Sequence, residues 1–197
     1  MASTASTKER ILDAARAGFG RRGFEATSLD EIAGELGVTK QTILYHFPSK
    51  DVLLKAVIDR NADELAQALE AALRRAGPGF SRVEAIVRSV FRLALRRPEL
   101  LGLLKEVSRL GPPATGWLME RLEPLVARAT AFLAAEMDAG TFRRQDPRLL
   151  LLSTYSTVVG VATEVEALRA VGFEPTPRSL ANRRRELLAF LRSALEA

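Results

Sequence analysis

The sequence predicts an all-α protein: a small N-terminal bundle of three helices, then a larger helical domain, about nine helices in all. Three observations carry this. Ala, Leu, Arg and Glu, all strong helix formers, are abundant, while aromatic residues make up 6% and β-branched residues do not alternate with polar ones. Apolar residues recur at helical spacing. Glycine and proline stand where helices start or stop.

The first helix opens on Ser6, with Glu9 three residues later as its capping-box partner. Ile11, Leu12, Ala15 and Phe19 then form one apolar face. Gly23 ends the helix, where a left-handed cap forms most easily. Ser28 and Glu31 open the second helix, whose buried side is Leu29, Ile32, Ala33 and Leu36. Gly37 breaks the chain and Thr39 caps the third helix. Pro48 stops it, because proline cannot continue the hydrogen-bond ladder. Ser49 caps the next helix, which starts near Lys50. Short helices joined by a tight glycine turn have the spacing of a helix-turn-helix.

Residues 1–50 therefore read as one domain and 51–197 as a second. In the second, helices are expected over 50–75, 81–96, 98–109, 115–139, 147–171 and 177–195. The breakers between them are "GPG" at 77–79, Pro98, "GPP" at 111–113, Gly140, Pro147 and "GFEPTP" at 172–177. Asp146-Pro147 and Thr176-Pro177 each pair an N-cap with a proline at the first helical position.

Composition narrows the function. The absence of cysteine rules out disulfides, thiolate nucleophiles and cysteine-based metal sites. The single histidine, His46, removes every multi-histidine metal site and most catalytic triads. There is no glycine-rich phosphate loop. No catalytic residue, metal site or cofactor is expected. The start, "MASTASTKER", has no apolar core and does not read as a secretory leader. The most apolar run, Leu149 to Val165, is short for a membrane span and contains Ser, Thr and Tyr; it reads as a buried helix. A cytoplasmic protein with no membrane partner is expected.

The net charge of +5 hints at nucleic acid without establishing it, since most of the excess falls in residues 169–197. The local pattern says more. From Leu36 to Lys50 there is no acidic residue, against Lys40, Lys50 and His46. With about 100° per residue, placing Ile43 at the centre of the buried side brings Phe47 beside it. Gln41 and Tyr45 then face outward, Thr42 and Leu44 lie on the flanks, and Lys40 and His46 stand beside them. That surface suits a major groove: a glutamine amide can read adenine, a lysine can reach guanine, and a threonine or leucine methyl can touch thymine. Tyr45, His46 and Lys50 can donate to phosphates, and Ser28 is placed for another, although it reads most simply as a cap. Thr39, the cap of the reading helix, joins this DNA-facing set. Arg21 and Arg22 read as a solvated helix end.

The stretch "TSLDEIAGELGVTKQTILYHFPSKDVLL" resembles the N-terminal domain of the TetR family of bacterial transcriptional regulators. The resemblance covers about residues 8–58 and includes "ILDAARAGFGRRGFEATSLDEIA", the "GV" turn and the "YHFPSK" close. The rest of the chain is similar only in length and helical layout. The resemblance implies a nine-helix homodimer whose third helix reads a double-stranded operator. Lys40, Gln41, Thr42, Leu44, Tyr45, His46 and Lys50 match the family's DNA contacts. Many relatives carry tyrosine where this chain has Leu44; leucine donates no hydrogen bond, so apolar contact or none is expected there.

The larger domain is read against the same family. Leu187, Leu188, Leu191 and Leu195 repeat at helical spacing, and the run containing Leu152 and Val158 is apolar on most sides. Both features fit core burial, and both fit a dimer interface, which the family pattern of a four-helix interface favours. The "RRRE" run at 183–186 reads as the solvated side of the last helix. Phe91, Leu95, Leu104, Val107, Trp117, Phe132, Tyr155 and Val159 each read singly as core. Together they suggest an apolar effector cavity, with Glu106, Ser108, Thr163 and Tyr155 as its polar groups. The expected protein is a repressor of a palindromic operator, released when an apolar or amphipathic small molecule shifts its population of states. The alternative is a helical ligand-binding or partner-binding protein with no DNA output.

Overall fold

The helix starts in this chain are set by side-chain caps. Ser28 Oγ accepts from Glu31 N–H at 3.1 Å, and the Glu31 carboxylate accepts from Ser28 N–H at 2.7 Å, so the second helix carries the full capping box. Thr39, Ser49, Asp146 and Thr176 cap later helices with the first half of that pattern, a side-chain oxygen accepting from a backbone N–H. Ser6 does half of what the sequence suggests. It accepts from Glu9 N–H at 3.2 Å, but the Glu9 carboxylate turns to Arg60 at 3.6 Å, where a charge partner outcompetes the backbone.

This computed structural model describes residues 6–172, 174 and 176–196, without the side chains of Val165 and Pro177. Residues 1–5 of the segment read as lacking a leader, and Phe173 and Pro175 of the last expected break, lie outside the described residues. Among the described residues there are ten helices and no strand: α1 (Thr7–Arg22), α2 (Leu29–Leu36), α3 (Lys40–His46), α4 (Lys50–Leu73), α5 (Phe80–Arg96), α6 (Pro98–Leu110), α7 (Ala114–Asp138), α8 (Pro147–Thr163), α9 (Val165–Ala170) and α10 (Pro177–Leu195). The single helix expected over 147–171 is divided at Glu164, whose ψ of 74° leaves the helical region. Both glycine stops end their helices, but only Gly37 does so in the left-handed helical conformation. Gly37 takes φ 67°, ψ 33°, and Gly23 takes φ 92° with an extended ψ of 160°.

The chain forms two compact units, and the division falls inside α4 and α7. The first comprises Met1–Leu65 and Pro98–Arg121; the second comprises Ala66–Arg97 and Leu122–Ala197.

In the first unit, α1 is central. It packs on α2 and α3 and, more extensively, on α6, whose sequence lies far downstream. Ile11, Ala15, Phe19, Ile32, Ile43, Leu53 and Ile58 are fully or almost fully buried there. Each such aliphatic side chain contributes roughly 1.5–3 kcal/mol through burial. The α1–α6 crossing brings backbone against backbone. A Cβ on Gly20 would stand 2.6 Å from the Glu99 carbonyl oxygen, and one on Gly102 would clash with the Gly20 carbonyl. Beside the crossing, buried Arg16 bonds to Glu64 at 2.8 Å and Asp13 at 3.3 Å, with Glu99 at 4.0 Å, so α1, α4 and α6 share one ion cluster. Such a cluster adds little net stability, but removing one member leaves an uncompensated buried charge.

In the second unit, α5, α8 and α10 pack on one another around Phe80, Val87, Phe91, Val158, Leu187 and Leu191. The ends of α7 and α10 are tied by Arg143 N–H donating to the Leu195 carbonyl at 2.8 Å and by an isolated bridge between Phe142 and Glu196. The "RRRE" run departs from expectation at its first residue. Arg183 is 8% exposed, and its guanidinium donates to the Val161 carbonyl at 3.0 Å, near the C-terminal end of α8. Burial pushes its pKa down.

The crossing makes a sign prediction. Glycine to alanine inside a helix ordinarily stabilises by about 1 kcal/mol. At Gly20 the new methyl meets a backbone carbonyl that cannot swing away, and overpacking of this kind costs about 1–3 kcal/mol. Thermal unfolding is expected to show a lower Tm for Gly20→Ala and an unchanged or higher Tm for Gly116→Ala, which has nothing within 4 Å of the added Cβ.

Candidate nucleic-acid interface

The helix α3 has only seven residues, too few to be stable alone. It is held by Ile43, 0% exposed, and by Phe47, buried at its C-cap. Thr39 fixes its other end, accepting from Thr42 N–H at 3.2 Å. With those groups inward, Gln41 and Tyr45 point to solvent; Tyr45 is 85% exposed. Thr42 and Leu44 are half-buried on the flanks. The facing predicted from the 100° spacing is the facing observed.

The groups around α3 are held in place. Tyr45 and His46 meet edge to face, with ring centres 5.2 Å apart. Lys50 Nζ stands 4.2 Å over the Phe24 ring and 3.5 Å from the Glu25 carbonyl oxygen. Ser28, exposed at the start of α2, is both a cap and an open hydroxyl. The Ser28 backbone N–H, with its hydroxyl, holds the Glu31 carboxyl below the usual carboxylate range, so Glu31 stays charged while it caps. Two residues differ from expectation. Lys40 does not reach out freely: its ammonium is bonded to Asp30 at 2.8 Å. The Thr42 hydroxyl is shared with Thr39 Oγ1 at 3.0 Å, which leaves its methyl as the freer group.

The profile described as "Bacterial regulatory proteins, tetR family" matches residues 11–57, the span from within α1 into α4 that builds this surface. Beyond it, the transcriptional regulator RutR of Escherichia coli K12 is 27% identical over 170 residues, covering 84% of this chain and 80% of RutR. The likeness to the TetR family is direct over residues 11–57 and weaker beyond them. Two solved structures share the fold of this chain over nearly its whole length. AibR, solved in complex with isovaleryl coenzyme A and operator DNA, has a TM-score of 0.78 at 21% identity and covers 94% of this chain and 97% of AibR. FadR of Bacillus subtilis, solved with stearoyl-CoA, has a TM-score of 0.77 at 17% identity, with the same coverage.

The residues expected in a TetR-type effector cavity separate between the units. Leu104, Val107 and Trp117 belong to the first; Phe91, Leu95, Phe132, Tyr155 and Val159 belong to the second. Phe91, Leu104, Val107 and Val159 are buried, Trp117 and Phe132 are half-buried, and Leu95 and Tyr155 are exposed. Phe132 packs edge-on against Phe142, with Arg82 over its ring. Of the residues expected at a dimer interface, Val158, Leu187, Leu191 and Leu195 are buried within the chain, Leu188 is half-buried and Leu152 is exposed. Helical spacing identified an apolar side of α10; it could not say that the chain's own helices cover it. The large apolar residues left open on α8 and α10 are Leu149, Leu152, Tyr155 and Phe190.

Three residues of the first unit have roles the sequence reading did not give them. Lys8 Nζ, from the start of α1, stands 5.9 Å from the centre of the Phe47 ring and adds a cation beside the helix end. Asp30 restrains Lys40. Glu106, read as a polar group of a cavity, turns instead to the α1–α2 turn, where Oε1 accepts from Phe24 N–H at 2.6 Å. None has a local sequence signal, because each acts across 10 or more positions of chain.

The two sides of α3 are expected to separate in a stability assay. Ile43→Ala removes fully buried methyl groups and should cost about 2–5 kcal/mol. Tyr45→Ala, on the open face, should stay within about 0.5 kcal/mol of the parent in denaturant unfolding.

Proposed function

We propose that this chain is a TetR-family regulator, a homodimeric repressor that holds a palindromic double-stranded operator with α3 and is released by a small-molecule effector. The observation that carries the DNA reading is the outward face of α3. Gln41 and Tyr45 are exposed there while Ile43 and Phe47 anchor the helix from behind. A glutamine amide with threonine and leucine methyl groups suits base edges; Ser28, Tyr45, His46, Lys50 and Lys8 suit the phosphates on either side. Lys40 reaches a base or phosphate by exchanging Asp30 for it. In this reading residues 1–50 bind DNA, and 51–197 bind effector and pair the subunits.

The dimer face is assigned to Leu149, Leu152, Tyr155 and Phe190, because large apolar side chains left open together on two packed helices mark an interaction surface. Two reading helices about one helical turn apart, roughly 34 Å, then meet successive half-sites. The effector is assigned an apolar or amphipathic character. The acyl-coenzyme A molecules bound by the fold neighbours AibR and FadR support a ligand with an acyl portion. Binding releases DNA by favouring the state whose reading helices are wrongly spaced.

Selection of duplexes from a random-sequence pool by the full chain is expected to yield a palindrome. Binding to it should weaken steeply with salt, and the double variant Tyr45→Ala, Lys50→Ala should weaken binding and lower the log–log salt slope by about 0.9 per subunit engaged, all of it from Lys50 because the tyrosine is uncharged. Equal binding by parent and double variant would remove the assigned surface and favour a helical ligand-binding or partner-binding protein without DNA output. Phe190→Glu, which places a charge on the open apolar face, is expected to convert the dimer to monomer in sedimentation with little loss of helicity. A dimer that persists would place the interface elsewhere.

A further inference from the structure

Glu106 is a carboxylate in an unusual position. It lies on α6, 82 residues beyond the turn it contacts, and is 8% exposed. Its Oε1 accepts from the Phe24 backbone N–H at 2.6 Å. Arg109 grips both oxygens, Nε on Oε2 and Nη2 on Oε1, each at 2.8 Å. The Arg109 guanidinium first of all, with help from the Phe24 N–H, holds the carboxyl below its usual range, so it stays ionised despite its burial. Gly23, with φ 92°, lets the backbone come this close; a Cβ there would sit 3.2 Å from Oε1.

The contact continues past the turn. The Phe24 ring is fixed edge-on against Phe19, with centres 5.3 Å apart at 65°. The other partner of that ring is Lys50, whose ammonium rests 4.2 Å above it. Only one residue therefore separates a buried carboxylate on α6 from the lysine at the start of α4 that faces the expected phosphate. The whole relay lies in the first compact unit.

We propose that Glu106 is a positioning residue for DNA binding, which fixes Phe24 and, through its ring, the Lys50 ammonium against a backbone phosphate. The proposal rests on the DNA reading above. An ammonium held over an aromatic face keeps its charge and its donors while losing rotamer freedom before the duplex arrives, so less ordering remains for binding. The carboxylate itself does not repel the duplex, because Arg109 compensates it. A merely structural role, the satisfaction of one buried N–H, would affect folding and leave phosphate contacts unchanged.

The test is a double-mutant cycle, using full-length protein and a duplex recovered by the parent from a random-sequence pool. Affinity and salt slope are read for Glu106→Ala, Phe24→Leu and Lys50→Ala, and for each of the first two combined with Lys50→Ala; thermal unfolding confirms that the proteins are folded. Glu106→Ala and Phe24→Leu should each weaken binding about three- to tenfold near physiological salt and lower the slope by about 0.9 per engaged subunit. Neither should add to Lys50→Ala. Glu106→Gln, which keeps a carbonyl oxygen for the Phe24 N–H, should recover most of the loss. Phe24→Leu leaves the backbone bond to Glu106 intact, so it carries the test if Glu106→Ala fails to fold. An unchanged slope, or losses that add fully to that of Lys50→Ala, overturns the proposal while leaving the DNA reading intact. A parent that enriches no duplex overturns both.

Discussion

A helix of seven residues cannot support itself, and the surface proposed to read DNA is such a helix. Two side chains, Ile43 and Phe47, anchor it to a core supplied by other elements. Everything that faces outward from α3 depends on that burial. The polar face is free to carry glutamine, threonine and tyrosine because none of them is needed to hold the helix in place. Stability and recognition are divided between opposite sides of one short element, and so are the consequences of mutation.

The core behind α3 is assembled from distant parts of the chain. Among the helix pairs in the first unit, α1 and α6 meet most extensively, and α6 follows α1 only after four intervening helices. Three kinds of contact bind that unit together: a backbone crossing at Gly20 and Gly102, the ion cluster around Arg16, and the Glu106 carboxylate at the α1–α2 turn. The family profile ends at residue 57, beyond the boundary expected from sequence after residue 50. The compact unit that carries the motif also draws on residues 98–121.

Much of this was legible in the sequence, and the physical reason is locality. Caps, glycine turns and proline starts act within four residues, so Ser28 with Glu31, Gly37, Thr39, Asp146 and Thr176 were readable directly. The facing of α3 followed from helical periodicity alone. What stayed hidden depends on partners remote in sequence. The break at Glu164 has neither glycine nor proline to announce it. Leu187, Leu191 and Leu195 were visibly apolar, but not visibly covered by the chain's own helices. Arg183 was read by its charge as solvated, although it falls on the same helical stripe as Leu180 and Leu187, and the structure buries it with them. Lys40 and Asp30 are far enough apart in the chain that no pairing rule for helices links them.

The glycine crossing has a mechanical consequence. At most helix interfaces, side chains form a cushion that yields by small rotamer changes. Between Gly20 and Gly102 there is no cushion, because the two backbones touch. Sliding α6 by one turn in either direction would bring the bulk of Glu99 or Glu106 into the place Gly102 occupies, where there is no room for it. Tilting about the point of contact avoids that clash and works only against the Arg16–Glu99 pair and the Glu106–Phe24 bond on either side of it. The crossing therefore works as a fulcrum, and any movement of α6 against α1 takes the form of leverage, with its largest displacement at the ends of the helix.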